Sequence, residues 1–245
     1  MKLGKKPPVI DDRTLKFGSY IKPILPDPPG SISYVHNIRY WPMYANDTLS
    51  DCTCAAAGHM IECWSDNSSV VGQIVVTSDI IAMYRVFNPA PEDDGCDMLS
   101  VLKWWRSHKI DNATASTQIT AFATLELGNQ KQAEQACYLF GGIYLGLALP
   151  DFAVAGNMDA PWTVASGSDI PPPNPENGHC VCVVGYNSIG LTVVTWGELR
   201  VMSWTFYNAY VDEAYAILSP AWFNSKGDAP EGFDVEHLAR DIAAL

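Results

Sequence analysis

A cysteine and a histidine carry the strongest chemical signal in this 245-residue chain. Cys52 stands in Leu49-Ser50-Asp51-Cys52-Thr53-Cys54 and opens the small-residue run CTCAAAGHMIECW. That pattern predicts a helix over 52–64 with Ser50 or Asp51 as its cap, and three alanines that let another element approach closely. A helix start exposes unpaired N–H groups and the positive end of the dipole. Both favour thiolate, the nucleophilic form of cysteine. Asp51 acts the other way, since an adjacent negative charge raises a thiol pKa, so a base is required nearby. His59 is seven residues further along the same helix, about 10 Å by helical rise, and cannot serve. His108 ends an amphipathic segment, His36 lies in an irregular arm and His237 in a polar tail. His179 differs: it follows Gly178 at the end of a long Pro/Gly loop and opens an apolar strand, so its backbone is fixed while its ring projects at a rim. Cys plus His is the minimum for nucleophilic thiol catalysis. The bland alternatives are a small buried thiol at Cys52 and a satisfied core histidine at 179.

The pairs Cys52/Cys54 and Cys180/Cys182 do not read as a metal site. Helical positions i and i+2 diverge by about 200°. On a strand, Cys180 and Cys182 share the face opposite to His179. No zinc-type C-x-x-C spacing occurs. Neither a metal nor a cofactor is implied, and an odd number of cysteines (seven) at irregular spacing fits reduced, buried thiols.

The elements that must position this pair follow from periodicity. Residues 1–45 are Pro-rich and irregular, a wrapping arm. Helices are predicted near 78–87 and 98–108, a strand at 119–125, a helix at 129–140 and a buried strand at 142–149. A Pro/Gly/Asp loop fills 150–178. An antiparallel hairpin follows, 179–186 and 191–196 around NSIG, then a helix at 204–210, a strand at 213–218 and a C-terminal helix at 234–245. Helices first and antiparallel strands later predict an α+β protein with two lobes.

Four segments in order resemble the papain-like cysteine peptidases: LSDCTCAAA, GHCVCVVGY, LTVVTWG and EAYAIL. The separation of Cys52 and His179, 127 residues, resembles the family's usual range. The resemblance implies a papain-like two-lobed fold with a helical N-terminal lobe (about 46–115) and an antiparallel β-rich C-terminal lobe (about 116–220). These form one domain, with the arm 1–45 before them and a tail at 221–245. It also implies Cys52 as nucleophile, His179 as base and Trp196 as the ring shielding that base. Asn46 stands where the family has an oxyanion-hole glutamine; a turn residue is the competing reading there. The family's orienting asparagine falls at Val194, which accepts no hydrogen bond, so the triad is degenerate at that position. The implied activity is a cysteine hydrolase, peptidase or amidase, acting on a peptide or related amide, a cell-wall amide among them.

Asn46-Asp47…Asp51-Cys52 and Gly178-His179…Thr195-Trp196-Gly197 also resemble proteins of tailed phages and prophages. That resemblance implies a second class of function, an inactive papain-fold structural or interaction piece contacting other virion proteins.

Composition narrows the field. Apolar residues make up 48% and charged residues 17%, below the roughly 25% of ordinary domains, enough to build a large core and to exclude disorder as the main state. A net charge of −12 without a basic face excludes a general nucleic-acid binder. No Lys or Arg occurs between Lys131 and Arg200, so the His179-bearing half is the acidic one. No apolar run reaches the ~18 residues of a membrane span. MKLGKKPPVIDD has no apolar core behind its lysines, so no signal peptide is predicted and the expected location is a bacterial host cytoplasm or a phage particle.

Overall fold

A computed structural model describes residues 1–21, 27–67, 75–110, 117–155, 160–164 and 169–222. The predicted C-terminal helix and His237 lie outside them. Among the described residues there are six α-helices, α1 (Cys52–Asn67), α2 (Thr77–Phe87), α3 (Met98–Ser107), α4 (Gln130–Phe140), α5 (Asp151–Ala155) and α6 (Trp204–Tyr210). The strands are β1 (Leu15–Lys16), β2 (Ile32–Ser33), β3 (Ala121–Thr124), β4 (Ile143–Ala148), β5 (Gly178–Tyr186), β6 (Gly190–Thr195), β7 (Glu198–Ser203) and β8 (Val211–Leu218). They form one sheet in the order β1-β3-β8-β4-β5-β6-β7, with β2 also paired to β5. Every pairing between these strands is antiparallel except β1–β3. This is the predicted α+β arrangement, helices first and an antiparallel sheet later.

Helix α1 runs against β5 and β4 and is buried from Cys52 to Ser65. Its small residues allow that depth. A methyl on Gly58 would meet the Tyr44 ring at 2.7 Å. Tyr144 of β4 donates to the Thr53 carbonyl at 2.7 Å, and Trp64 donates to Phe140 O at 2.9 Å, so both ends of the helix are pinned to the β-rich half. Complete burial brings two ionisable groups inside. His59 bonds Pro42 O at 2.7 Å and packs on Trp41 and Tyr44. Glu62 accepts from Tyr44 Oη at 2.6 Å.

Those burials set a pH signature. Burial pushes Glu62 up to about 8, and Asp51 up to about 7. Each acid therefore stabilises the fold fully below its unfolded pKa near 4, a contribution lost as pH rises through the folded value. Burial pushes His59 down to about 4 and His179 down to about 3, contributions that are complete above about pH 6.5 and lost on acidification. The two pairs oppose one another between about pH 4.5 and 6.5, and above that only the acids titrate. Melting temperature should accordingly fall between pH 6.5 and 8. Glu62 alone accounts for about 1–2 kcal/mol of that, roughly 3–6 °C for a chain of this size. Calorimetry of Glu62→Gln should give a visibly flatter profile over this range; an unchanged slope would refute the assignment.

Among the described residues no helix is long and apolar enough to cross a membrane. All seven cysteines are free and buried.

Candidate functional site

Cys52 is the first residue of α1. The Asp51 carbonyl accepts from Cys54 N at 2.8 Å and Ala55 N at 2.9 Å, which makes Asp51 the residue that turns the chain into the helix. The loop before it is held in an unusual shape, with Tyr44 at φ 53 and Ala45 at φ 69, both in the left-handed region that costs non-glycine residues energy. Tyr44's bond to Glu62 and Asp93's bonds to Ser50 N (2.8 Å) and Tyr84 Oη (2.6 Å) hold it there. Asn46 is buried in this loop. Its Nδ2 donates to Leu49 O at 3.3 Å, and its amide lies beside the Asp51 carboxyl, where it partly offsets the upward push of burial.

His179 enters from the opposite wall on β5. The residues leading to it are tied down by Asp151, whose Oδ1 accepts from Asn174 Nδ2 at 2.6 Å and Asn177 Nδ2 at 2.9 Å. The imidazole stacks on Trp196, centroids 4.3 Å apart and planes 19° off parallel, with Trp162 edge-on. Its Nε2 lies 2.8 Å from Thr195 Oγ1. Its Nδ1 has no hydrogen-bond partner among the described residues. With Nε2–H donated to the threonine, Nδ1 carries the free lone pair.

The threonine fills a position for which the family resemblance offered only Val194. Pairing of Cys182 with Val194 sets the parity: Val194 belongs with Cys180 and Cys182, while Thr195 shares the side of Val181 and His179. Trp196 and Gly197, at φ 47 and 73, then turn the chain tightly into β7. Trp196 is thereby laid over His179. Arg200 of β7, 6% exposed, sits 4.9 Å above the Trp162 ring and 5.8 Å above Trp196.

The Cys180 backbone favours the Cys52 thiolate. The wider environment favours neutrality. Burial pushes Cys52 up to about 12, with Asp51 adding to the shift. Burial, then Arg200 and Lys5, push His179 down to about 3. Both groups are thus held neutral, a thiol at Cys52 and an imidazole at His179 whose Nδ1 makes no hydrogen bond to it.

Cys52 and His179 are each 1% exposed, and residues 2–6 of the arm pass close enough for the Lys5 charge to act on both. These arm residues run as an extended strand between the two walls. Lys2 N donates to Asn46 O (2.9 Å) and Trp196 Nε1 to Lys2 O (2.9 Å). Gly4 N and Lys5 N both reach Gly178 O at 3.1 Å. Cys96 N donates to Gly4 O, and Lys6 N to Cys96 O, each at 2.9 Å. Gly4 permits the passage, since a methyl there would lie 2.0 Å from Ser50 O. The other histidines stand apart: His108 stacks on Trp104 and bonds its carbonyl, and His36 is exposed.

The fold is papain-like, a helix bearing a cysteine at its start packed on an antiparallel sheet bearing a histidine. Solved structures of cysteine proteases share it across most of the chain. Xylellain from Xylella fastidiosa superposes with a TM-score of 0.67 at 13% identity, over 88% of this chain and 95% of that one. Procathepsin L 3 from the larval midgut of Tenebrio molitor gives 0.63 at 12% identity, over 88% and 75%. The Carica candamarcensis protease CMS1MS2 gives 0.57 at 10%, over 78% and 98%. At these identities the likeness is one of fold. No family model matches the sequence, and no curated protein does.

Proposed function

We propose that this protein is a papain-like cysteine hydrolase acting on a peptide or related amide, with Cys52 as nucleophile and His179 as base. The observation that carries this reading is the state of the imidazole. It is clamped by Trp196, bonded through Nε2 to Thr195, and left with an unshared Nδ1, on the residue next to the Cys180 backbone that favours the Cys52 thiolate. In the reaction the thiol proton passes to Nδ1 and the sulfur attacks the amide carbon. The imidazolium then returns the proton to the departing amine, and water cleaves the resulting thioester. The Cys52 N–H, which has no partner within the helix at its first position, is the donor available to the oxyanion; the Asn46 amide, engaged with Leu49 O and the Asp51 carboxyl, would have to leave them to join it.

The test is a peptidyl vinyl sulfone, which alkylates an activated active-site thiol, applied to Lys5→Glu protein in which the arm is displaced. Intact-mass analysis should show one adduct on Cys52, absent in the additional variants Cys52→Ala and His179→Ala. If Lys5→Glu exposes Cys52 to a small reagent yet no adduct and no hydrolysis of peptide amides occurs, the hydrolase reading is wrong.

The seated arm favours a second reading, a papain-fold module without turnover, used structurally; the phage-like sequence motifs give a virion as its setting. Failure of the vinyl sulfone together with fixed-stoichiometry recovery in purified particles would establish it.

A further inference from the structure

Lys5 is a buried cation in the groove wall, its side chain 1% exposed. The ammonium stands 2.9 Å from Asp212 Oδ2 and 3.2 Å from Glu213 Oε1, and donates to Lys6 O at 3.2 Å. Burying a lysine costs both hydration and rotamer freedom, so the pocket must be shaped and charged for it. The shaping is visible at Gly146. It sits in the middle of β4 among Ile143, Tyr144, Leu145 and Leu147, directly opposite Glu213 in register, where a glycine weakens a strand. A methyl at that position would lie 2.4 Å from Lys5 Cε and 2.6 Å from Glu213 Cγ and Met98 Sδ. The missing side chain is the space through which the lysine stem passes.

Glu213 is itself organised, accepting from Tyr215 Oη at 3.0 Å through its other oxygen. Asp212 and Glu213 also border a cavity of about 320 Å³ lined by Asp12, Lys16 and an Asp11 already paired to Arg13 and Lys103. The main chain carrying Lys5 is bound as any extended peptide would be. Its bonds go to the backbone of Cys96 and Gly178, which read no side-chain identity. Identity is read only where the side chain enters the wall.

We infer that Gly146, Met98, Asp212 and Glu213 form a selectivity pocket for a lysine or arginine side chain of a peptide lying in this groove, and that Lys5 is its resident occupant. This rests on the groove being the peptide-binding active site proposed above. The substrates are then peptides with a basic residue placed against β4 and β8, and the arm competes with them for the same socket.

The experiment uses the full chain and reads occupancy rather than turnover. Lys5→Glu sets a like charge against Asp212 and Glu213 and should raise the rate of iodoacetamide labelling of Cys52. An acetylated, amidated peptide of residues 2–9, added in trans, should then suppress the labelling. The same peptide with leucine in place of Lys5 should need at least tenfold more for equal protection, and an arginine version should match the lysine one. Adding Glu213→Gln should shrink that preference. Equal protection by lysine and leucine peptides overturns the inference, as does labelling that stays unchanged in both Lys5→Glu and the milder Lys5→Ala. Protection by the lysine peptide alone, with no peptide ever cleaved, would keep the pocket while removing the hydrolase.

Discussion

Iodoacetamide will modify Cys52 of the intact chain on the order of 10³-fold more slowly at pH 8 than it modifies an ordinary exposed cysteine. Only the thiolate reacts, and a thiol pushed up to about 12 by burial is about 10⁻⁴ ionised at that pH, against about a quarter for an unperturbed thiol near 8.5. Two effects compete at this position. The helix start and the Cys180 backbone favour thiolate, and helix-end charge interactions rarely exceed about 2 kcal/mol. The net push up to about 12 amounts to roughly 4 kcal/mol against ionisation, so burial wins. His179 cannot rescue it. Pushed down to about 3, it takes up no second proton at neutral pH and supplies no cation to pair with the sulfur. The rate should therefore climb about tenfold per pH unit up to pH 10 without a plateau. In Lys5→Glu, water reaches the pair, imidazolium and thiolate stabilise one another, and a plateau should appear from mildly acidic pH. Site-resolved mass spectrometry distinguishes Cys52 from the six other buried cysteines. Fast labelling of Cys52 in the intact chain would show that the thiol is neither buried nor held neutral in solution.

The helix bearing Cys52 and the hairpin bearing His179 were legible because their signals are local. A run of alanines after a capping residue specifies a helix that packs closely, and HCVCVVGY with LTVVTW around a short turn specifies a buried hairpin. Strand β7 was not legible. Its inward residues include Arg200, while Leu199 and Val201 are 44% and 41% exposed, so the usual apolar-in, polar-out alternation is inverted. The inversion has a cause in the site, since the guanidinium lies over Trp162 and Trp196. Lys5 was invisible for another reason. Among the lysines of a polar N-terminus nothing distinguishes it, and its partner Asp212 is 207 residues away. Thr195 was hidden by a bulge. A regular hairpin closed at Tyr186 and Leu191 would set Thr195 opposite Cys182, away from His179; the register shift between Val183 and Gly185 moves the pairing by one and brings the hydroxyl to the imidazole, and nothing in the sequence announces it.

Replacing that hydroxyl is the sharpest test of how the base is set. In arm-displaced protein, Thr195→Val should lower turnover of a basic peptide amide by about 10²-fold or more, the scale of losing a correctly presented general base. Valine keeps the β-branched shape at a position that is 2% exposed, so packing changes little, whereas Nε2 loses its acceptor 2.8 Å away. The imidazole is then free to place its proton on Nδ1, the atom that must receive the thiol proton, and a tautomer so placed cannot act as the base. Stacking on Trp196 holds the ring plane but cannot choose the tautomer. Thr195→Ser should restore most of the loss, because it returns the oxygen without the methyl. A purely structural threonine predicts the opposite ranking: serine, which opens a methyl-sized void, would then be the worse substitution and valine the milder. Measuring kcat and the pH dependence of kcat/KM for both variants separates the two, and equal turnover for wild type and Thr195→Val would remove Thr195 from the catalytic arrangement.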